Sequence, residues 1–139
     1  MSIEENKDVI RRWVAARNAS DVETAVSLWV DHRQERLRAA FNRYTEGFPE
    51  IQFTVNELIA EGDKVVLWWT LHGTHLGAYA DVPATGKEIE VSGIIILRFS
   101  GGKVVEQWDR WDGHSEDLAR WRLPKDLHLY QYQLETLVL

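Results

Sequence analysis

The sequence predicts an α+β fold: three N-terminal helices packed on one face of a curved, mainly antiparallel sheet, followed by a short C-terminal helix. Two observations carry that expectation. Apolar residues recur at spacings of three and four as far as Glu46, and at a spacing of two after Pro49. The later apolar runs are separated by turn residues, Gly62-Asp63 and Ser100-Gly101-Gly102, which join neighbouring strands as hairpins.

The first helical stripe is Val9, Ile10, Trp13, Val14 and Arg17, with a charged back, and Asn18-Ala19 breaks it. Ser20-Asp21-Val22-Glu23 has the pattern of a capping box, with a Ser hydroxyl and a Glu three residues on, and Val22, Ala25, Val26 and Trp29 carry the second stripe. The third helix is expected from Gln34 to Glu46, with Leu37, Ala40, Phe41 and Tyr44 inward and Gly47 and Pro49 ending it. Ile51, Phe53 and Val55 then alternate with polar partners. Lys64 to Thr74, Glu88 to Phe99 and Lys103 to Asp112 read as long strands, with a loop from His75 to Gly86. A short helix, Ser115 to Trp121, stops at Pro124, and residues 125–139 fit strand or helix equally.

The 139 residues, 45% apolar and 27% charged, suit one domain spanning 1–139 with its own core. A net charge of -6 argues against a nucleic-acid or anionic-membrane partner. The absence of cysteine excludes disulfides, thiolate metal sites and a Cys nucleophile. No apolar run reaches membrane-span length, and the start has no signal-peptide core, so the expected location is cytoplasmic. Seven tryptophans are many for packing alone, which raises the prospect of a cavity for a flat apolar ligand.

Phe48-Pro49-Glu50-Ile51, Ala60-Glu61-Gly62-Asp63-Lys64-Val65-Val66, Gly73-Thr74-His75-Leu76-Gly77, Pro83-Ala84-Thr85-Gly86-Lys87 and Gly102-Lys103-Val104-Val105-Glu106-Gln107-Trp108, ending at Asp112, follow one another in an order that resembles the SnoaL-like polyketide cyclases of the nuclear-transport-factor-2-like superfamily. The resemblance covers about residues 5–121. It implies a cone-shaped fold with a pocket between helices and sheet, and a homodimer. It also implies a cofactor-independent enzyme doing acid/base chemistry, of the aldol cyclisation or isomerisation type, on a flat apolar substrate. Non-catalytic ligand-binding or scaffold modules share the fold, as do dehydratases and epoxide hydrolases, so the resemblance does not choose between them. The sequence departs from the family at Val30-Asp31-His32, which runs directly into the third helix, at Ala84 in place of a second proline, and in the tail 125–139.

The resemblance places Asp112 at the position of the general acid/base carboxyl, and places His32 at the pocket. Apolar walls around a carboxyl raise its pKa so that it both takes and gives a proton near neutrality. His75, at a strand end, is positioned to orient a carbonyl or tune Asp112, or else to bond backbone at a turn. Trp13 and Trp29 lie on inward helical stripes, Trp69 shares parity with Val65, Leu67 and Leu71, and Trp108 shares parity with Asp112; these four form the candidate substrate walls. Asp109 and Arg110, adjacent on a strand, point to opposite faces. Glu106 is expected to pair with Arg98. Trp68 and His72 fall on the outer face of their strand, and apolar residues on both strand faces suit sheet-on-sheet dimerisation. No His and acidic residues fall at a metal-ligand spacing, so no metal is expected.

Overall fold

The computed structural model describes residues 2–79 and 81–111. The expected helix Ser115–Trp121 and the tail 125–139 lie outside the described residues, as does Asp112.

Helix α1 (Ile3–Asn18) begins with a reciprocal cap: the Glu5 N–H donates to the Ser2 hydroxyl at 3.1 Å, and the Ser2 N–H donates to the Glu5 carboxylate at 3.2 Å. The two bonds occupy donors that a bare helix start leaves unpaired. The box expected at Ser20–Glu23 does not form. Ser20 has a positive φ of 56°, away from the extended backbone typical of an N-cap. Helix α2 (Val22–Ser27) is capped by Asp21 instead, whose carboxylate accepts from Thr24 N–H at 3.2 Å.

Helix α3 (Asp31–Gly47) starts at Asp31 rather than Gln34. Leu28 O accepts from Val104 N–H at 3.0 Å and Val30 N–H donates to Val104 O at 3.1 Å, a parallel bridge centred on Trp29 and Val104. That bridge holds Val30 extended as the N-cap of α3, so the chain turns into the helix without an intervening loop.

Four strands form one sheet in chain order, every neighbour antiparallel: β1 (Gln52–Glu61), β2 (Lys64–Thr74), β3 (Glu88–Ser100) and β4 (Lys103–Trp111). The β3–β4 hairpin turns on Gly101 and Gly102, both at positive φ (60° and 82°), a pair of angles that two side-chain-bearing residues rarely supply together.

The sheet's faces divide by parity. Val65, Leu67, Trp69 and Leu71 of β2 and Ile89, Val91, Ile95 and Leu97 of β3 are buried beneath the helices with Val9, Ile10, Val14 and Trp29. Each such aliphatic side chain contributes about 1.5–3 kcal/mol by leaving water. The other face carries Trp68, Ile94 and Trp108, which are 47%, 49% and 37% exposed. A register shift at Arg98/Phe99 sets Arg98 opposite Glu106 and Ile96 opposite Trp108. The expected pair forms, Arg98 Nε donating to Glu106 Oε1 at 2.7 Å.

Asn18 fixes α1 against the sheet. Its side-chain amide donates to Phe53 O at 2.9 Å and its carbonyl accepts from Phe53 N–H at 2.7 Å, so it acts as a strand neighbour for β1 and brings Arg17 over the Phe53 ring. Among the described residues no helix is long and apolar enough to cross a membrane.

Candidate active site

Helices α1 and α3 lie over the buried sheet face and leave a cavity of about 50 Å³. Trp13 and Arg17 come from α1, Leu37, Ala40 and Tyr44 from α3, and Phe53, Trp69, Leu71, Ile95, Gln107, Asp109 and Trp111 from the four strands. Ligand sites usually exceed roughly 300 Å³, so the enclosed volume is well below that of a site for a whole ligand. The cavity floor depends on Gly93. A Cβ there would stand 2.4 Å from the Trp69 ring and 2.8 Å from Trp111 Cβ, so only glycine lets the two indoles flank β3.

Asp109 is the acid of this cavity. It is 6% exposed, and its Oδ1 has no hydrogen-bond partner among the described residues. Burial pushes its pKa up to about 7; the Arg110 charge, a backbone hydrogen bond at Arg110 and the Arg17 charge only partly oppose this. Gln107, two residues earlier on the same face, is buried and accepts the Trp29 indole N–H at 2.7 Å. Tyr44 is pushed up to about 12 by burial and then by the Asp109 charge, against the Arg17 charge and a hydrogen bond with Tyr79, so its phenol stays protonated.

Arg17 is the cation of the cavity wall. Its guanidinium carbon lies 4.7 Å from the Phe41 ring centroid, 5.0 Å from Phe53, 5.6 Å from Tyr44 and 5.7 Å from Trp13. Burial lowers its pKa to about 10, with Tyr44 and Asp109 opposing, so it remains a cation at neutral pH.

Of the side chains singled out from the sequence, Trp13 and Trp69 line the cavity. Trp29 is fully buried and backs Trp13, ring centroids 5.3 Å apart, without lining the cavity itself. His32 is a correction: it is exposed on the first turn of α3, because the helix begins directly after Val30 and turns that residue outward. Trp108 is a second correction. Residues 107, 109 and 111 take the inward face of β4, so Trp108 points out. His75 is a third. It is 1% exposed but does not line the cavity; Nδ1 lies 3.0 Å from Thr85 Oγ1, the ring stacks on Phe48 at 5.3 Å, and its backbone pairs with Lys87 and Gly86. Asp112 lies outside the described residues.

Asp109, Arg17, Tyr44 and Gln107 were not singled out for chemistry, although the signal for two of them is in the sequence. Arg17 falls at the end of the inward stripe of α1. The inward set of β3, Gly93, Ile95 and Leu97, pairs with Trp111, Asp109 and Gln107, so following that face across the hairpin leads to Asp109.

The profile of the SnoaL-like polyketide cyclase family matches residues 7–115. No match was found among curated proteins. Among solved structures, AclR from Streptomyces galilaeus, a proposed hydroxylase, is 29% identical at a TM-score of 0.77, covering 88% of this chain and 100% of its own. TsrD from Streptomyces laurentii is 23% identical at 0.76, covering 87% and 96%. A proposed SnoaL-like polyketide cyclase from Jannaschia sp. CCS1 is 21% identical at 0.76, covering 89% and 97%. The last two likenesses establish the fold.

Proposed function

Because the chain belongs to the SnoaL-like polyketide cyclase family, we propose that it is a cyclase-type enzyme whose general acid/base is Asp109, acting without a cofactor on a flat, enolisable, largely apolar substrate. The observation that supports this is a buried carboxyl with its pKa near 7 at an aromatic-walled cavity. A group poised there populates both protonation states at neutral pH, which a proton shuttle requires.

In the aldol form of the reaction, the Asp109 carboxylate removes a proton from carbon next to a carbonyl. The C–H electron pair moves into an enolate. The enolate carbon then attacks a second carbonyl of the same molecule, a ring C–C bond forms, and the resulting alkoxide takes the proton from Asp109. The carboxylate is regenerated and no other reactant is consumed. Tyr44, held protonated, is a donor for an oxygen at the same cavity. Two copies in the cytoplasm, meeting through the Trp68, Ile94 and Trp108 face, complete the reading.

The test is Asp109→Asn, assayed by deuterium exchange at the α-carbon of a cyclic monoketone, whose uncatalysed exchange in neutral buffer is slow. Exchange falls by about 100-fold or more with the fold intact. A non-catalytic module, which the small cavity volume favours as the second reading, leaves exchange at the buffer rate in both proteins.

A further inference from the structure

Three of the arginines among the described residues pair with carboxylates. Arg38 bonds Glu23 and Glu35, Arg11 bonds Asp8, and Arg98 bonds Glu106. Arg17, half-buried at the wall of an aromatic-lined cavity, makes no hydrogen bond or ion pair with any described residue. Phe41, Phe53, Tyr44 and Trp13 hold it by their ring faces. A ring face attracts the charge but takes up few of the five N–H donors in the guanidinium plane. The ionisable groups nearest in effect are Tyr44, which is neutral, and Asp109, which interacts through its charge and forms no bond to Arg17. A cation oriented by stacking, with donors unspent, next to a carboxyl whose Oδ1 lacks a partner, is arranged to receive an oxygen anion from a ligand.

We infer that Arg17 is the oxyanion-binding group of this site, and that the ligand presents a carboxylate or enolate oxygen to it from a flat ring or conjugated chain lying between Trp13 and Trp69. The enolate case deepens the acid/base reading and rests on it. As Asp109 takes the proton, the electron pair released from C–H comes to rest on the carbonyl oxygen, and the Arg17 guanidinium neutralises it there.

The experiment compares benzoate with benzamide, which share shape and differ in charge, by calorimetric titration of the whole chain. Wild type prefers benzoate by about tenfold or more, and Arg17→Met, which keeps an apolar stem among the rings, brings the ratio to about one. Asp109→Asn keeps the benzoate preference, since it removes a competing negative charge. Absence of saturable benzoate binding to wild type, a wild-type ratio near one, or a preference surviving in Arg17→Met overturns the assignment. The wild-type ratio decides even where Arg17→Met does not fold by circular dichroism. Pentane-2,4-dione separates the two anion sources: an enolate ultraviolet band on wild type that Arg17→Met lacks identifies the enolate, and benzoate selectivity without that band identifies a carboxylate. Should Asp109→Asn exchange protons as fast as wild type while the benzoate preference stands, the acid/base reading fails and the assignment of Arg17 holds.

Discussion

The indole N–H of Trp29 donates to the side-chain oxygen of Gln107 at 2.7 Å, joining two buried groups 78 residues apart in the chain. The bond ties the segment between α2 and α3 to the centre of β4, two residues from Asp109. Gln107→Leu leaves the indole N–H buried without its acceptor. Unfolding in urea is expected to show a loss of about 1–3 kcal/mol, and the double variant with Trp29→Phe recovers part of it, because both polar partners are then gone. Purely additive losses would show that the pair is not coupled.

Asp109 makes stability depend on pH in a direction opposite to most acids. In the folded chain it ionises near 7, against an ordinary 3.8. Between those values the folded state holds a proton that the unfolded chain releases. The contribution is therefore largest below about pH 4, declines as pH rises to about 7, and is level above that. The slope is at most about 1.4 kcal/mol per pH unit. Glu23 and Asp63, lowered by hydrogen bonds to Arg38 and Lys64, act in the other sense at low pH, so the quantity to measure is the difference between wild type and Asp109→Asn across that window. A difference that does not change with pH contradicts the buried acid. The same ionisation makes kcat/KM rise with pH to a plateau above about 7.

His75→Ala separates folding from chemistry. The ring packs on Phe48 and bonds Thr85 away from the cavity. Losing it lowers the melting temperature, at about 2–4 kcal/mol for a buried ring of this size, while kcat stays within a few-fold of wild type. A loss of kcat with stability unchanged would restore the catalytic expectation.

Much of the architecture is legible from period alone. The strand bounds Lys64–Thr74 agree with those observed, and the change of period at Pro49 marks where helices end. Faces were legible too, since Trp68 and His72 are exposed as parity requires. Strand β4 by itself does not say which of its faces meets the cavity, because Trp108 and Asp109 are adjacent and each face carries one aromatic and one carboxyl-bearing neighbour; the signal lies in the apolar set of β3 across the hairpin. Pairing resolved it: Ile95 is buried and opposite Asp109. The start of α3 was hidden for a different reason, since the Trp29–Val104 bridge that fixes it is a contact across the chain.

Gly93→Ala tests the floor of the cavity. Its Cβ would enter the space of Trp69 and Trp111, so a loss of about 1–3 kcal/mol is expected in thermal unfolding, together with weaker benzoate binding. Unchanged stability would mean that the two indoles yield without cost.

Trp68→Lys tests the outer face. Trp68 pairs with Ile94, and Trp108 pairs with Ile96 on the strand beyond. A charge among these rings is expected to convert a dimer to monomer in light scattering, with the fold unchanged. A monomeric wild type would refute the dimer.

The stacking of Arg17 against four rings has a practical consequence. A molecule that supplies its missing oxygen partner binds the folded chain and not the unfolded one, so it raises the melting temperature in proportion to the logarithm of its concentration over its dissociation constant. Heat resistance thereby becomes a way to find the natural ligand: a panel of flat acids and 1,3-dicarbonyls, ranked by melting shift and then by loss of that shift in Arg17→Met, reads the substrate's chemistry without any assay of turnover.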